Sequence, residues 1–394
     1  MLAIGLMSGT SLDGVDCALV DIDGVDAGTR VRLMAFDTYE MPQAMRDRVL
    51  EACSPGGGDA RLLCSLNVEL GHLFSSAVGR MCRAQGVDAS GLSFVASHGQ
   101  TIWHEPDASR DYGDGARYHA STLQLGEPAI IAWDHNVRVV SDFRPMDIAA
   151  GGQGAPLVSF SETVLYGSDE LNRVLLNVGG IGNVTVLPRG HDASRVFAFD
   201  TGPGNMMVDE ACRRLLGMPY DDCGEVAASG HVDEGLLEEL LANPYFPQEP
   251  PKSTGRELFG AQAVSKTLDR SRRLRPADII ATFTELTARS IADACTRFVE
   301  PRLNGNLDEL VVGGGGAHNR TLVARLDALL PGIGVCTQED LGYSSDAKEA
   351  IAFAVLGNQT LRRRPSNIPA ATGASCPVIL GNVTYPPRLS RCEL

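Results

Sequence analysis

Lysine is nearly absent from this 394-residue chain. Only Lys252, Lys266 and Lys348 occur and none follows a glycine, so the G-x-x-x-x-G-K-[ST] phosphate loop is excluded. No G-x-G-x-x-G stands at a strand-to-helix turn, which removes the dinucleotide fingerprint too. G-x-S-x-G and H-E-x-x-H are also missing, and with them the simplest hydrolase signals. Apolar runs break well before the roughly 18 residues that a membrane span needs. No basic region followed by an apolar stretch and cleavage site opens the chain, so a cytoplasmic location without membrane partners is the expectation. The ten cysteines form no C-x-x-C and keep no regular spacing, a pattern of buried reduced thiols rather than a disulfide framework or zinc site. Positive charge is short as well: 34 Lys+Arg stand against 49 Asp+Glu, a formal net charge of −15. That balance argues against nucleic acid, whose binding rests on Lys/Arg clusters. An anionic small molecule stays compatible, because a local site can be positive inside an acidic protein.

What is present reads as a soluble α/β chain, too long for one ordinary core and therefore divided into two lobes. Residues 60–83, 277–299 and 347–363 carry apolar side chains at helical spacing. The stretch 105–121 is polar and turn-rich and reads as a surface excursion. A weak internal repeat links the halves. Ile4–Leu6, a glycine-rich turn over Ser8–Gly14, Cys17–Ile22 and Val31–Phe36 form the first unit. Val174–Asn177, the turn Gly179–Asn183, Val184–Leu187 and Val196–Phe199 form the second. A third glycine cluster, Gly313–Gly316, follows the strand-like Leu310–Val312.

A two-residue turn suffices for a hairpin, so MSGTSLDGVD is oversized for that task. Glycine lets another group approach the backbone, and exposed N–H groups at such turns make anion sites. A ligand-free turn explains any single cluster. Three clusters, each at a strand end, point to a polyphosphate.

The segments GLMSGTSLDGVD, SHGQTIWHEP, AAGGQGAPL, LNVGGIGNV, FDTGPGN, PKSTGRE and LVVGGGGAHN, in this order, resemble the bacterial anhydro-N-acetylmuramic acid kinases. The resemblance covers nearly the whole chain. It implies an α/β, two-lobed actin-like ATPase (ribonuclease H-like) fold with the ATP and substrate cleft between the lobes. Lobe I is expected over 1–142 and lobe II over 143–366, with 367–394 returning to lobe I. The implied reaction uses ATP, Mg²⁺ and water to convert 1,6-anhydro-N-acetylmuramic acid to N-acetylmuramic acid 6-phosphate, in cell-wall recycling. A homodimer is implied as well. The 105–121 excursion is longer than the family's pattern and bears on substrate preference.

Carried over residue by residue, the resemblance makes Asp200 of FDTGPGN the base that activates water. Helix capping near Asn205 is the structural alternative. Gly9, Thr10, Ser11, Leu12, Asp13, Gly14, Val15 and Asp16 match the ATP segment, with Asp13 or Asp16 holding Mg²⁺ or its water. An Asx-type turn would account for one of these aspartates. Gly179, Gly180, Gly182 and Asn183 would meet the phosphates from the other lobe. Gly313, Gly314 and Gly315 would pass close to the adenosine, or else pack strand against helix. For the amino sugar, His98, Gln100 and Arg144 are the candidates, an arginine fork suiting the lactyl carboxylate. Arg144 could instead pair with Asp142 or Asp147, and His98 could be a satisfied interior histidine. The rival functions are a kinase of the same superfamily without ring opening, and a non-enzymatic actin- or chaperone-like ATPase.

Overall fold

A computed structural model describes residues 1–9, 12–54, 56–107, 118–191 and 193–387. The chain divides into two compact units: Met1–Leu165 together with the chain from Asp346 on, and Tyr166–Ser345. The expected boundaries after 142 and 366 are both displaced, and the reason is packing. Phe143, Leu157 and Val164 join one core with Ala3, Val20 and Phe94, and the helix Lys348–Leu361 supplies Ala350, Phe353 and Ala354 to it.

The strands of the first unit are β1 (Leu2–Ser8), β2 (Gly14–Asp23), β3 (Arg30–Glu40), β4 (Phe94–Glu105), β5 (Ser121–Leu125) and β6 (Val139–Ser141). Those of the second are β7 (Arg173–Val178), β8 (Ile181–Leu187), β9 (Phe197–Pro203), β10 (Glu309–Gly313) and β11 (Gly334–Thr337). A last strand, β12 (Asn382–Thr384), returns to the first unit. The sheet orders are β12-β6-β4-β1-β2-β3, with β5 on β4, and β11-β10-β7-β8-β9. In each unit an antiparallel three-strand meander is followed by two strands parallel to its first. This is the ribonuclease H-like order, made twice, and it is the internal repeat seen in the sequence.

β1 is apolar on both faces because both are covered. Ile4 and Leu6 pack with Leu70 and Phe74 of the helix Ala60–Gln85. That helix starts on Asp59, whose carboxylate accepts from Leu62 N–H, and stops at Gly86, φ 64°. On the other face the Lys348–Leu361 helix lies so close that a Cβ on Gly5 would stand 1.8 Å from the Ala350 carbonyl oxygen. In the second unit Val174, Leu176, Val184 and Phe199 pack against Ala288 and Ile291 of the helix Pro276–Ala294. Residues 108–117 of the expected excursion lie outside the described residues, and its ends belong to the paired strands β4 and β5. Among the described cysteines all are free, but Cys64 and Cys376 are exposed rather than buried. No helix among the described residues is long and apolar enough to cross a membrane.

Candidate active site

The oversized turn joins β1 to β2. Thr10 and Ser11 lie outside the described residues. Leu12 is buried with φ 59° and donates its N–H to the Gly9 carbonyl at 3.3 Å. The Asp13 side chain is exposed, while its carbonyl accepts from Arg46 at 2.9 Å. Gly14, Val15 and Asp16 already belong to β2, and Val15 is spent on the core. Asp16 is half-buried and accepts from Thr38 Oγ1 at 2.6 Å. Burial pushes its carboxyl pKa up against that hydrogen bond, and Asp346 and Asp13 push the same way. Glu349 is raised chiefly by burial, with Asp16 among its charged neighbours. The sequence reading singled out neither acid, although Glu349 lies in the first turn of the helix Lys348–Leu361 and Asp346 just before it.

The first turn and the start of β2 carry two carboxylates, Asp13 and Asp16. Among the described residues no three Asp, Glu, His or Cys groups could hold a metal ion by themselves. Mg²⁺ asks for less, since it takes one or two carboxylates and fills its shell with phosphate and water.

The sugar candidates separate. Gln100 is 1% exposed and its amide is engaged with the first turn. β1 runs parallel to β4 with Ser8 opposite Gln100. The amide oxygen accepts from Ser8 Oγ at 2.7 Å, and Nε2 donates to the carbonyls of Thr101 at 3.2 Å and Gly9 at 3.5 Å. His98 and Arg144 are brought together: Arg144 Nε donates to His98 Nε2 at 2.9 Å, and another guanidinium nitrogen donates to the Gly154 carbonyl at 2.6 Å. Neither Asp142 nor Asp147 pairs with Arg144 among the described residues. Asp147 instead accepts from Gly154 N–H, Asn367 and Thr372. His98 Nδ1 lies 2.9 Å from the Gly99 carbonyl, so it carries the proton there and Nε2 is the acceptor.

Burial, aided by Arg144, pushes the His98 pKa down to about 3. A histidine depressed on folding contributes stability above its unfolded pKa, about 6.5. That contribution is lost as pH falls from there toward 3. Wild type is therefore expected to lose melting temperature over this window, and His98→Gln to lose less. Parallel melting curves for the two proteins would refute the assignment.

In the second unit Asp200 sits inside β9 and caps no helix. The helix Met206–Leu216 begins after Asn205, which makes no side-chain cap bond. Asp200 Oδ2 accepts from Thr254 N–H at 2.9 Å, and among the described residues Oδ1 makes no hydrogen bond. Burial raises this carboxyl above its ordinary value, and the Thr254 bond works against that rise. Asn183 is its cross-strand neighbour on β8, so the second glycine turn and Asp200 meet in one sheet. That turn is locked from behind: the carbonyls of Gly179 and Gly180 accept from the N–H groups of Asn205, Gly204 and Met206. Gly182 lies in β8, opposite Gly202.

The third cluster divides by role. A Cβ on Gly313 would meet the Gln338 amide at 2.6 Å, so Gly313 permits packing. Gly314 has φ 74°, which bends the chain away from β10. Gly315 lines a cavity of about 370 Å³ with Asn205, Asp209, Tyr220 and His318. Burial raises the Asp209 carboxyl to about 6, with Arg213 opposing. The sequence signalled Asp209 and Tyr220 only through their place after FDTGPGN.

Comparison with known proteins identifies the family. The family model described as anhydro-N-acetylmuramic acid kinase matches residues 1–386. A protein of that name from Clostridioides difficile (strain 630) is 47% identical over 387 residues, 98% of this chain and 99% of the relative. One from Bacillus cereus (strain Q1) is 47% identical over 389 residues, 98% of this chain and all of the relative. Among solved structures, the Clostridium difficile activator of 2-hydroxyisocaproyl-CoA dehydratase with bound ADPNP gives a TM-score of 0.43 at 12% identity, over 90% of this chain and 93% of that one, too low to add to the assignment. The chain belongs to the anhydro-N-acetylmuramic acid kinase family.

Proposed function

We propose that this protein uses ATP and water to open 1,6-anhydro-N-acetylmuramic acid and phosphorylate it at O6. The observation that carries the reading is the Asp200 carboxylate, held through one oxygen and, among the described residues, unbonded at the other, in a chain that the family model matches over residues 1–386. Asp200 takes a proton from water as the water oxygen bonds to the anomeric carbon. The bond from that carbon to O6 breaks, O6 bonds to the γ-phosphorus, and ADP leaves. The products are ADP and N-acetylmuramic acid 6-phosphate, with the new anomeric oxygen drawn from water.

In this reading the first turn is a phosphate-binding element of its unit through Gly9 and Asp13, and the second turn is one of its own unit through Gly179 and Gly180. Gln100 keeps the first turn in shape. Asp13 and Asp16 would hold Mg²⁺, which supplies charge neutralisation on the phosphates. Arg144 is held by two of its donors and offers the remainder of its fork to the lactyl carboxylate, with His98 fixing its angle. The cavity at Gly315 and Asp209 takes the nucleoside. A homodimer in the cytoplasm completes the reading.

The test is the mass of the product made from ATP, Mg²⁺ and the anhydro sugar in ¹⁸O-labelled water. One labelled oxygen in the phosphorylated sugar is expected. A phosphorylated sugar without label would mean an ordinary kinase, and ADP release independent of sugar would mean an ATPase.

A further inference from the structure

The segment after the helix Glu234–Leu241 returns to β9 and touches Asp200 at three points. The Tyr245 hydroxyl donates to the Asp200 carbonyl at 2.7 Å, and the Asp200 N–H donates to the Lys252 carbonyl at 3.1 Å. The Thr254 N–H donates to Oδ2 at 2.9 Å. Backbone and carboxylate of one residue are thus gripped by a single stretch of chain.

Lys252 is what holds that stretch closed. It is only 9% exposed and makes no ion pair among the described residues. Its ammonium donates to the carbonyls of Phe246 at 2.9 Å and Tyr245 at 3.5 Å. It also lies 4.5 Å from the ring centroid of Phe298 and 4.8 Å from that of Tyr245, with Phe199 at 6.0 Å. A buried ammonium is costly unless hydrogen-bonded, and aromatic faces attract a desolvated cation. Both conditions are met here without an ion pair among the described residues, Glu249 acting only at longer range. The cation ties Tyr245 and Phe246 to residue 252, so the loop that reaches Thr254 cannot open without releasing it.

We propose that Tyr245–Thr254 is a strap that orients the Asp200 carboxylate, with Lys252 as its anchor. By occupying Oδ2 the strap leaves Oδ1 as the oxygen that takes the proton from water. This rests on the reading of Asp200 as the base. Thr254 and Lys252 are positioning residues, since they act through Asp200. The groups that face Asp200 are few. β8 brings the neutral Asn183, and the strap brings the Tyr245 hydroxyl and the Lys252 carbonyl. Glu249 and Arg297 act on Lys252. On the helix Pro276–Ala294 packed against β9, Glu285 is engaged by Arg289 and Arg325.

The experiment measures pH profiles of kcat and KM for wild type, Thr254→Pro, Lys252→Met and Asp200→Asn. Thr254→Pro removes the N–H that favours the charged carboxylate. Its acidic limb should move up by about one pH unit and kcat should fall roughly tenfold, with KM for both substrates within about twofold. Lys252→Met keeps the side-chain volume and loses the anchor, and should move the limb the same way by less. A purely structural strap would lower melting temperature and active fraction while leaving the limb in place. Folded variants with a wild-type limb would therefore overturn the proposal. If Thr254→Pro does not fold, the Lys252→Met profile decides alone. An active Asp200→Asn would instead overturn the base assignment, which separates the two failures.

Discussion

Asp200→Asn is expected to lower kcat by ~10²- to 10⁴-fold, the usual contribution of a positioned base. The substitution keeps the shape of the side chain and an oxygen to accept the Thr254 N–H, so the strap and β9 remain in place. Binding of ATP and sugar should change little, because the loss falls on proton transfer. Stability should not fall at neutral pH. Burial raises the Asp200 carboxyl, so folding favours its protonated form. Stability from such a group is fully present below the unfolded pKa of about 3.9 and is lost as pH rises through the folded value. An amide has no charged form to bury, and the variant should melt at or above wild type at pH 7. A kcat within a few-fold of wild type would remove Asp200 from the chemistry. A large drop in melting temperature would mean that the carboxylate is structural instead.

The second large effect concerns folding. Gly5→Ala should destabilise the first unit by about 3 kcal/mol or prevent its folding, at the upper end of overpacking costs. Gly5 is central in β1, between β2 and β4, and its missing side chain is where the Ala350 carbonyl sits. The added Cβ would be 1.8 Å from that oxygen and 3.1 Å from the Ala354 nitrogen. Both obstacles are backbone of one helix, so no rotamer change relieves them. The helix must move outward, and Phe353 and Ile351 then leave the core they share with Ala3 and Phe94. Thermal unfolding followed by circular dichroism reads the effect. An unchanged melting temperature would mean that the contact is looser than described.

Much of the architecture could be read in advance because its signals are short-range. Strand, glycine-rich turn and strand occur twice within a few residues of each other, and glycine at a strand end has a local meaning in any context. The repeat marks the opening meander of each sheet, whereas the order of the strands that follow was implied only by the family resemblance. The helices 60–83, 277–299 and 347–363 were legible for the same reason, since a 3.6-residue period needs no partner to be seen. Asp200 was singled out by the resemblance of FDTGPGN to the family, and it lies inside β9 rather than capping the next helix.

Direction and partnership were not legible. Gln100 lies in a polar motif beside His98, and only the pairing of Ser8 with Gln100, 92 residues apart, turns its amide toward the first turn. The unit boundaries moved because the helix Lys348–Leu361 packs on strands from the start of the chain. Nothing local to Lys252 shows that Phe199, Tyr245 and Phe298, from distant parts of the chain, close around it. Composition and local pattern determined that this is an α/β chain that repeats a strand, glycine-rich turn and strand, while Asp200 was marked by the resemblance of its motif to the family. The tertiary structure decided which oxygen of that aspartate is held and which is left open, because that depends on groups that meet only after long loops have closed.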